Sequence, residues 1–167
     1  MTGASGVGKT TLVHALDAQR LPGLHCHYFD SVGVPSVTDV TAQFGSPQAW
    51  QQSTTERWVT SLVANETGDR VALLEGQMRP SEVRAAFARQ GVSRGRILLV
   101  DCDHDARDAR LRNERRQPEL ATPRMAAWAA YLRGQADALE LPIFDTTHLT
   151  LAQAEQGFIE CIRAWTV

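Results

Sequence analysis

The chain has 167 residues, of which 43% are hydrophobic and 22% charged, with a formal net charge of −2. That suffices for one domain with a hydrophobic core. It argues against a general nucleic-acid or membrane surface, and neither a membrane-length apolar run nor a secretion signal is visible. Cys26, Cys102 and Cys161 are odd in number, far apart and set in apolar runs, so they read as reduced core thiols of a cytoplasmic protein.

The first motif comes at once: Gly3-Ala4-Ser5-Gly6-Val7-Gly8-Lys9-Thr10, followed by Thr11. It satisfies every fixed position of the phosphate-binding pattern G-x-x-x-x-G-K-[ST]. The glycines let successive N–H groups turn inward onto phosphate oxygens, and the helix opening at Lys9 adds the positive end of its dipole. Gly3, Ser5, Gly6, Val7, Gly8, Lys9, Thr10 and Thr11 are therefore the expected nucleotide contacts. Lys9 reaches the outer phosphates and Thr10 offers a hydroxyl to Mg²⁺. Of the 17 Lys and Arg residues only Lys9 is lysine, the compact ammonium that this position calls for. A buried strand normally precedes such a loop. Only Met1 and Thr2 do so here, and the first strand is expected to be truncated to a stub.

The first helix is predicted from Lys9 to about Arg20, closed by Leu21-Pro22-Gly23. A strand over Leu24 to Phe29 follows and ends at Asp30. Its alternation puts His25 and His27 on one face and Cys26 on the other, which argues against a metal site built from the three. Residues 31–69 form a helical insert, in which Ser46-Pro47 caps a helix carrying Trp50 and Trp58 as packing residues. Thr67-Gly68-Asp69 reads as a turn. Val71 to Leu74 is a strand buried on both faces that ends at Glu75-Gly76, and Pro80 to Gln90 is a helix.

Ile97 to Val100 is another buried strand, ending at Asp101. A helix from Asp103 or His104 to about Gln117 then carries Arg107, Arg110, Arg112, Arg115 and Arg116, which either pair with neighbouring acids or clamp phosphate oxygens. Pro118 to Ala121 connects to a helix capped by Thr122-Pro123. Pro142 to Asp145 is the last strand, and Thr150 with Gln153 forms a capping box for the final helix.

Alternating strands and helices predict a three-layer α/β/α sandwich around a parallel sheet, with the loop, Asp30, Glu75, Asp101 and Asp145 at the carboxyl edge. The order of parts resembles the P-loop small-molecule and nucleoside-monophosphate kinases, the group of adenylate, shikimate and gluconate kinases. The resemblance rests on Gly3 to Thr11, on Leu73-Leu74-Glu75-Gly76-Gln77-Met78-Arg79-Pro80, on Leu99 to Asp103 with Ala109 to Arg112 and Arg115-Arg116, and on Ile143 to Thr147. It implies a single domain over 1–167, with 31–69 on the substrate side and 110–122 as a short lid-like segment. It implies ATP and Mg²⁺ as cofactors and transfer of the γ-phosphate to a small hydroxylated metabolite. By the same resemblance Lys9, Asp30, Arg112 and Arg116 are catalytic, with the register among Arg112, Arg115 and Arg116 open. Asp30, Glu75, Gly76 and Arg79 face the substrate, and Thr10 and Glu75 hold the metal. The expected partner is the small-molecule acceptor, met by a monomer or homodimer. A nucleoside monophosphate kinase and a regulatory ATPase or nucleotide-binding protein are the alternatives.

Overall fold

In the computed structural model, which describes residues 1–66, 68 and 70–166, four short strands form two parallel pairs. β1 (Leu24–Tyr28) pairs with β2 (Val71–Glu75) over its full length, and β3 (Leu99–Asp101) pairs with β4 (Ile143–Asp145). Thr2 joins the pairs, bridging Gly76 on one side and Leu99 on the other. Its N–H donates to the Leu98 carbonyl at 2.9 Å, and its carbonyl accepts from Val100 N at 2.8 Å. The sheet order is thus β1, β2, Thr2, β3, β4, and the expected first-strand stub is a single bridging residue.

Alternation along the strands divides the core between two faces. Leu73, Leu98 and Val100 pack with Leu12, Val13 and Leu16 of α1 (Lys9–Ala18) and with Ala154 and Phe158 of α7 (Leu151–Thr166). Leu74 and Ile97 face the other way, onto Val83 of α4 (Pro80–Arg89) and Trp50, Trp58 and Leu62 of α3 (Pro47–Asn65). Leu99 packs on Leu132 and Ala136 of α6 (Pro123–Ala138). These are the expected three layers. The tryptophans of α3 pack as anticipated: Trp50 meets Phe29 edge-on, and the Trp58 indole donates to the Phe29 carbonyl at 3.2 Å.

The helix starts follow their capping side chains. Ser46, Asp103 and Thr122 accept from Ala49, Ala106 and Met125 N–H, and Thr150 exchanges bonds with Gln153. The insert holds α2 (Val37–Phe44) besides α3. Of the turn expected at 67–69, Thr67 and Asp69 lie outside the described residues.

Three expectations need correction. The strand after α4 begins at Leu99 instead of Ile97, because its neighbour in the sheet is only one residue long. The arginine-bearing helix does not run to Gln117. α5 (His104–Ala109) passes into a π-helical turn over Arg110–Glu114, where Arg115 N donates to the Arg110 carbonyl at 2.9 Å, and it stops at Arg116 with φ 52°. Of the cysteines only Cys102 is fully buried; Cys26 and Cys161 are half-buried, and all are free thiols.

The Met1 ammonium is buried and donates to the Leu74 carbonyl at 2.8 Å, and burial pushes its pKa down from 8.0 to about 5. Between those values the unfolded chain holds more protons than the folded one, so this group makes stability rise with pH from about 5 to 8. Two to four β-branched residues added before Met1 are expected to raise the melting temperature by several degrees and to flatten its pH dependence in that window. They replace a desolvated charge by amide N–H groups that pair in the sheet. Thermal melts of both polypeptides from pH 5 to 8 check this, and unchanged curves would mean that the stub is sufficient.

Candidate functional site

The phosphate-loop geometry begins with its glycines. A Cβ on Gly3 would meet the Val100 carbonyl at 2.3 Å, so this position must be bare for the loop to leave the sheet. Gly6 has φ 87° and lies against Arg107 and Leu111, and a Cβ there would come within 2.9 Å of each. Gly8, at φ 93°, is the N-cap of α1, and a Cβ there would meet nothing. Ser5 and Val7 are buried and Thr11 is exposed.

Lys9 is 6% exposed, and its Nζ donates to the Ala4 carbonyl at 3.0 Å, across the loop. Burial lowers its pKa from 10.5 to about 8; Glu75 and Asp30 oppose the shift, and Arg115 adds to it. A buried ammonium in the first turn of a helix favours an anion. The Thr10 hydroxyl donates to Glu75 Oε1 at 3.2 Å, and Glu75 is buried at the end of β2. A hydroxyl and a carboxylate oxygen so placed are the hard oxygen donors that Mg²⁺ takes, so the residues fit that ion.

The carboxylates at the strand ends separate into two groups. Glu75 and Asp30 act on Lys9. Asp30 is exposed on a 3₁₀ turn over Phe29–Val32, closed by Gly33 N donating to its carbonyl at 3.0 Å. Gly76 makes that position reachable: a Cβ on it would lie 2.5 Å from Phe29 Cβ. Asp101, by contrast, accepts from Arg133 at 3.3 Å. The Thr147 hydroxyl and N–H donate to Asp145 and hold its carboxyl below the usual carboxylate range.

The arginines divide in the same way. Arg112 donates to Asp108 at 2.8 Å on the exposed side of its helix. Arg116 is exposed at the left-handed end of the π turn. Arg115 is the arginine whose charge acts on Lys9. Arg110 donates to the Thr146 hydroxyl at 3.0 Å and to its carbonyl at 2.6 Å, and that hydroxyl donates to the Val7 carbonyl at 2.8 Å. The segment after β4 is thereby tied to the loop, a link for which residue spacing gave no signal. Arg79 lies over the Trp128 ring at 5.1 Å and pairs with Glu82 at 3.7 Å. Gln51 also accepts from Arg79, and burial pushes the Glu82 carboxyl up. Trp128 and Gln77 belong to this end of the site, and neither stands out from the sequence by spacing.

His25 and His27 share one face of β1, as expected, and both reach Glu66, at 2.9 and 3.0 Å. No group of residues suited to holding a metal by His, Cys, Asp and Glu alone occurs among the described residues. Among them, too, no helix is long and apolar enough to cross a membrane.

The Lys9 ammonium gives a pH prediction. A bound polyphosphate favours the charged form, so above about pH 8 binding has to draw in a proton. Affinity for a non-hydrolysable ATP analogue should therefore fall as pH rises from 8 to 9.5, by up to about tenfold per unit. In Lys9→Arg, which stays charged, the dependence should vanish. Calorimetric titrations across that range check it, and a flat wild-type profile would contradict it.

No protein-family model matches the sequence, and the comparison with curated proteins gives no match either. Solved structures do match. The shikimate kinase from Acinetobacter baumannii in complex with shikimate superposes with a TM-score of 0.62 at 14% identity, over 98% of this chain and 90% of that one. The deoxyadenosine kinase from M. mycoides with bound dATP gives a TM-score of 0.58 at 11% identity, over 97% of each chain. The same enzyme with bound dCTP gives 0.51 at 8% identity, over 98% and 97%. At such identities the likeness is one of fold, and the fold is that of the P-loop kinases.

Proposed function

With a P-loop kinase fold as its premise, we propose that this chain transfers the γ-phosphoryl group of ATP to a hydroxyl of a small metabolite in the cytoplasm. One observation carries the reading. Lys9 is buried with its Nζ donating across the loop to the Ala4 carbonyl, and the hydroxyl of the adjacent Thr10 donates to the buried Glu75 carboxylate, so the loop lysine and a hydroxyl–carboxylate pair lie together at the end of β2.

Each has a role there. The loop N–H groups and Lys9 hold the phosphates of ATP. Thr10 and Glu75 hold Mg²⁺, which when bound neutralises phosphate charge. Asp30 accepts the proton of the acceptor hydroxyl as its oxygen forms the new bond to the γ-phosphorus. The bond from that phosphorus to the β–γ bridging oxygen breaks, and ADP leaves. One arginine of the group Arg112, Arg115 and Arg116 meets the charge on the transferring group. Arg79, the N-cap of α4, faces the acceptor. An accessible carboxylate at the carboxyl end of β1 favours an alcohol over a nucleoside monophosphate, whose own phosphate calls for several arginines at the acceptor end.

The test is ADP formation from Mg·ATP with and without pooled metabolites, followed by deconvolution of any active pool. Acceptor-dependent ADP formation and a phosphorylated product are expected. ADP formation at the same rate in every pool, with inorganic phosphate as the product, would replace the kinase by an ATPase.

A further inference from the structure

One side chain joins the donor loop to the aromatic surface that carries Arg79. Gln77 Nε2 donates to Ser5 Oγ at 3.1 Å, and Gln77 Oε1 accepts from the Trp128 indole N–H at 3.1 Å. Both ends of the amide are engaged. The indole can only donate, which assigns the amide oxygen to Trp128 and the amide nitrogen to the loop. The Gln77 carbonyl in turn accepts from the Gln51 side chain, and Gln51 Oε1 accepts from Arg79. Arg79 returns to the start of the circuit, its guanidinium over the Trp128 ring at 5.1 Å. Gln77, Trp128, Arg79 and Gln51 thus form a closed ring of contacts drawn from β2's carboxyl end, α6 and α3. Its one attachment to the phosphate loop through these contacts is Ser5, which is 8% exposed.

We propose that Gln77 is a positioning residue that couples the acceptor end of the site to the donor loop. The proposal rests on the reading of Arg79 as an acceptor-side group. A ligand that recruits the Arg79 guanidinium changes its seat on the Trp128 face. The indole N–H moves with the ring, and the Gln77 amide transmits the change to Ser5. Through the same contacts, a disturbance at Trp128 is expected to change nucleotide affinity.

The experiment is a double-mutant cycle read by calorimetric titration of the full chain with Mg²⁺ and AMP-PNP. Trp128→Phe keeps an aromatic face under Arg79 and deletes the indole donor. It is expected to weaken AMP-PNP binding by roughly three- to tenfold, the worth of one neutral hydrogen bond. In a Gln77→Met background, where the link is already cut, the same substitution should have no further effect. An unchanged affinity in Trp128→Phe, or losses that simply add in the double variant, would overturn the coupling. Circular dichroism verifies folding. If Gln77→Met does not fold, the cycle is run with Ser5→Ala, which cuts the other end of the same link. Failure of the wild-type chain to bind AMP-PNP would remove the nucleotide reading and the coupling together. Binding that ignores Trp128 would remove the coupling alone.

Discussion

Lys9→Ala is expected to lower turnover by on the order of 10²- to 10³-fold, the usual loss when one preorganised charge partner of a transition state is deleted. Two features make the effect large. The ammonium is 6% exposed, so water cannot take its place at full strength, and no other lysine exists in the chain. Its pKa, pushed down to about 8, means that the free protein holds the charge at a cost in desolvation. Removing it should leave the melting temperature unchanged or raise it. Loss of activity together with equal or higher stability is the signature of a group kept for function. Steady-state ADP formation and a thermal melt on the same preparation read both quantities. Turnover within a few-fold of wild type would take the phosphate loop out of the mechanism.

Asp30→Asn should reduce kcat by about 10²- to 10⁴-fold, the range for loss of a general base, while AMP-PNP affinity changes little. The position explains the split. Asp30 is exposed at the carboxyl end of β1, outside the loop Gly3 to Thr10, and among the described residues it makes no hydrogen bond to that loop that would hold the loop's shape. The substitution keeps the side-chain shape, and the turn is closed by the Asp30 carbonyl, so the fold should be indifferent to it. The measurement is kcat with the acceptor that emerges from the metabolite screen, alongside calorimetric affinity for the nucleotide. An unchanged kcat would return Asp30 to a role in the turn.

The parts of this protein that were legible in its sequence are those set by local chemistry. The phosphate-loop pattern, the apolar strand Val71 to Leu74, and the capping residues Ser46, Thr122 and Thr150 act over a few residues, and each appears where the sequence puts it. The side-by-side histidines of β1 follow from strand alternation in the same way. What escaped depends on distant contacts or on a backbone choice without a residue signal. The wide turn at Arg110–Glu114 contains neither Gly nor Pro, so nothing in its composition announces that the arginines leave α-helical register. The Gln77 link to Ser5 and Trp128 joins residues 72 and 51 positions away in the chain. Trp128 was readable as apolar, while the use of its N–H was not.

The single-residue bridge at Thr2 gives the sheet an uneven mechanical character. On one side stand β1 and β2 with Asp30 and Glu75; on the other stand β3 and β4 with Asp101 and Asp145. Thr2 is the residue that bridges the two halves in the sheet, and the loop leaves the sheet one residue later. Asp30 and Glu75 thus stand on one side of Thr2, and Thr146, which anchors Arg110, stands on the other. A ligand gripped by both halves acts as a staple across Thr2. Slower amide exchange at Val100, whose N–H donates to Thr2, is the expected report of such a staple.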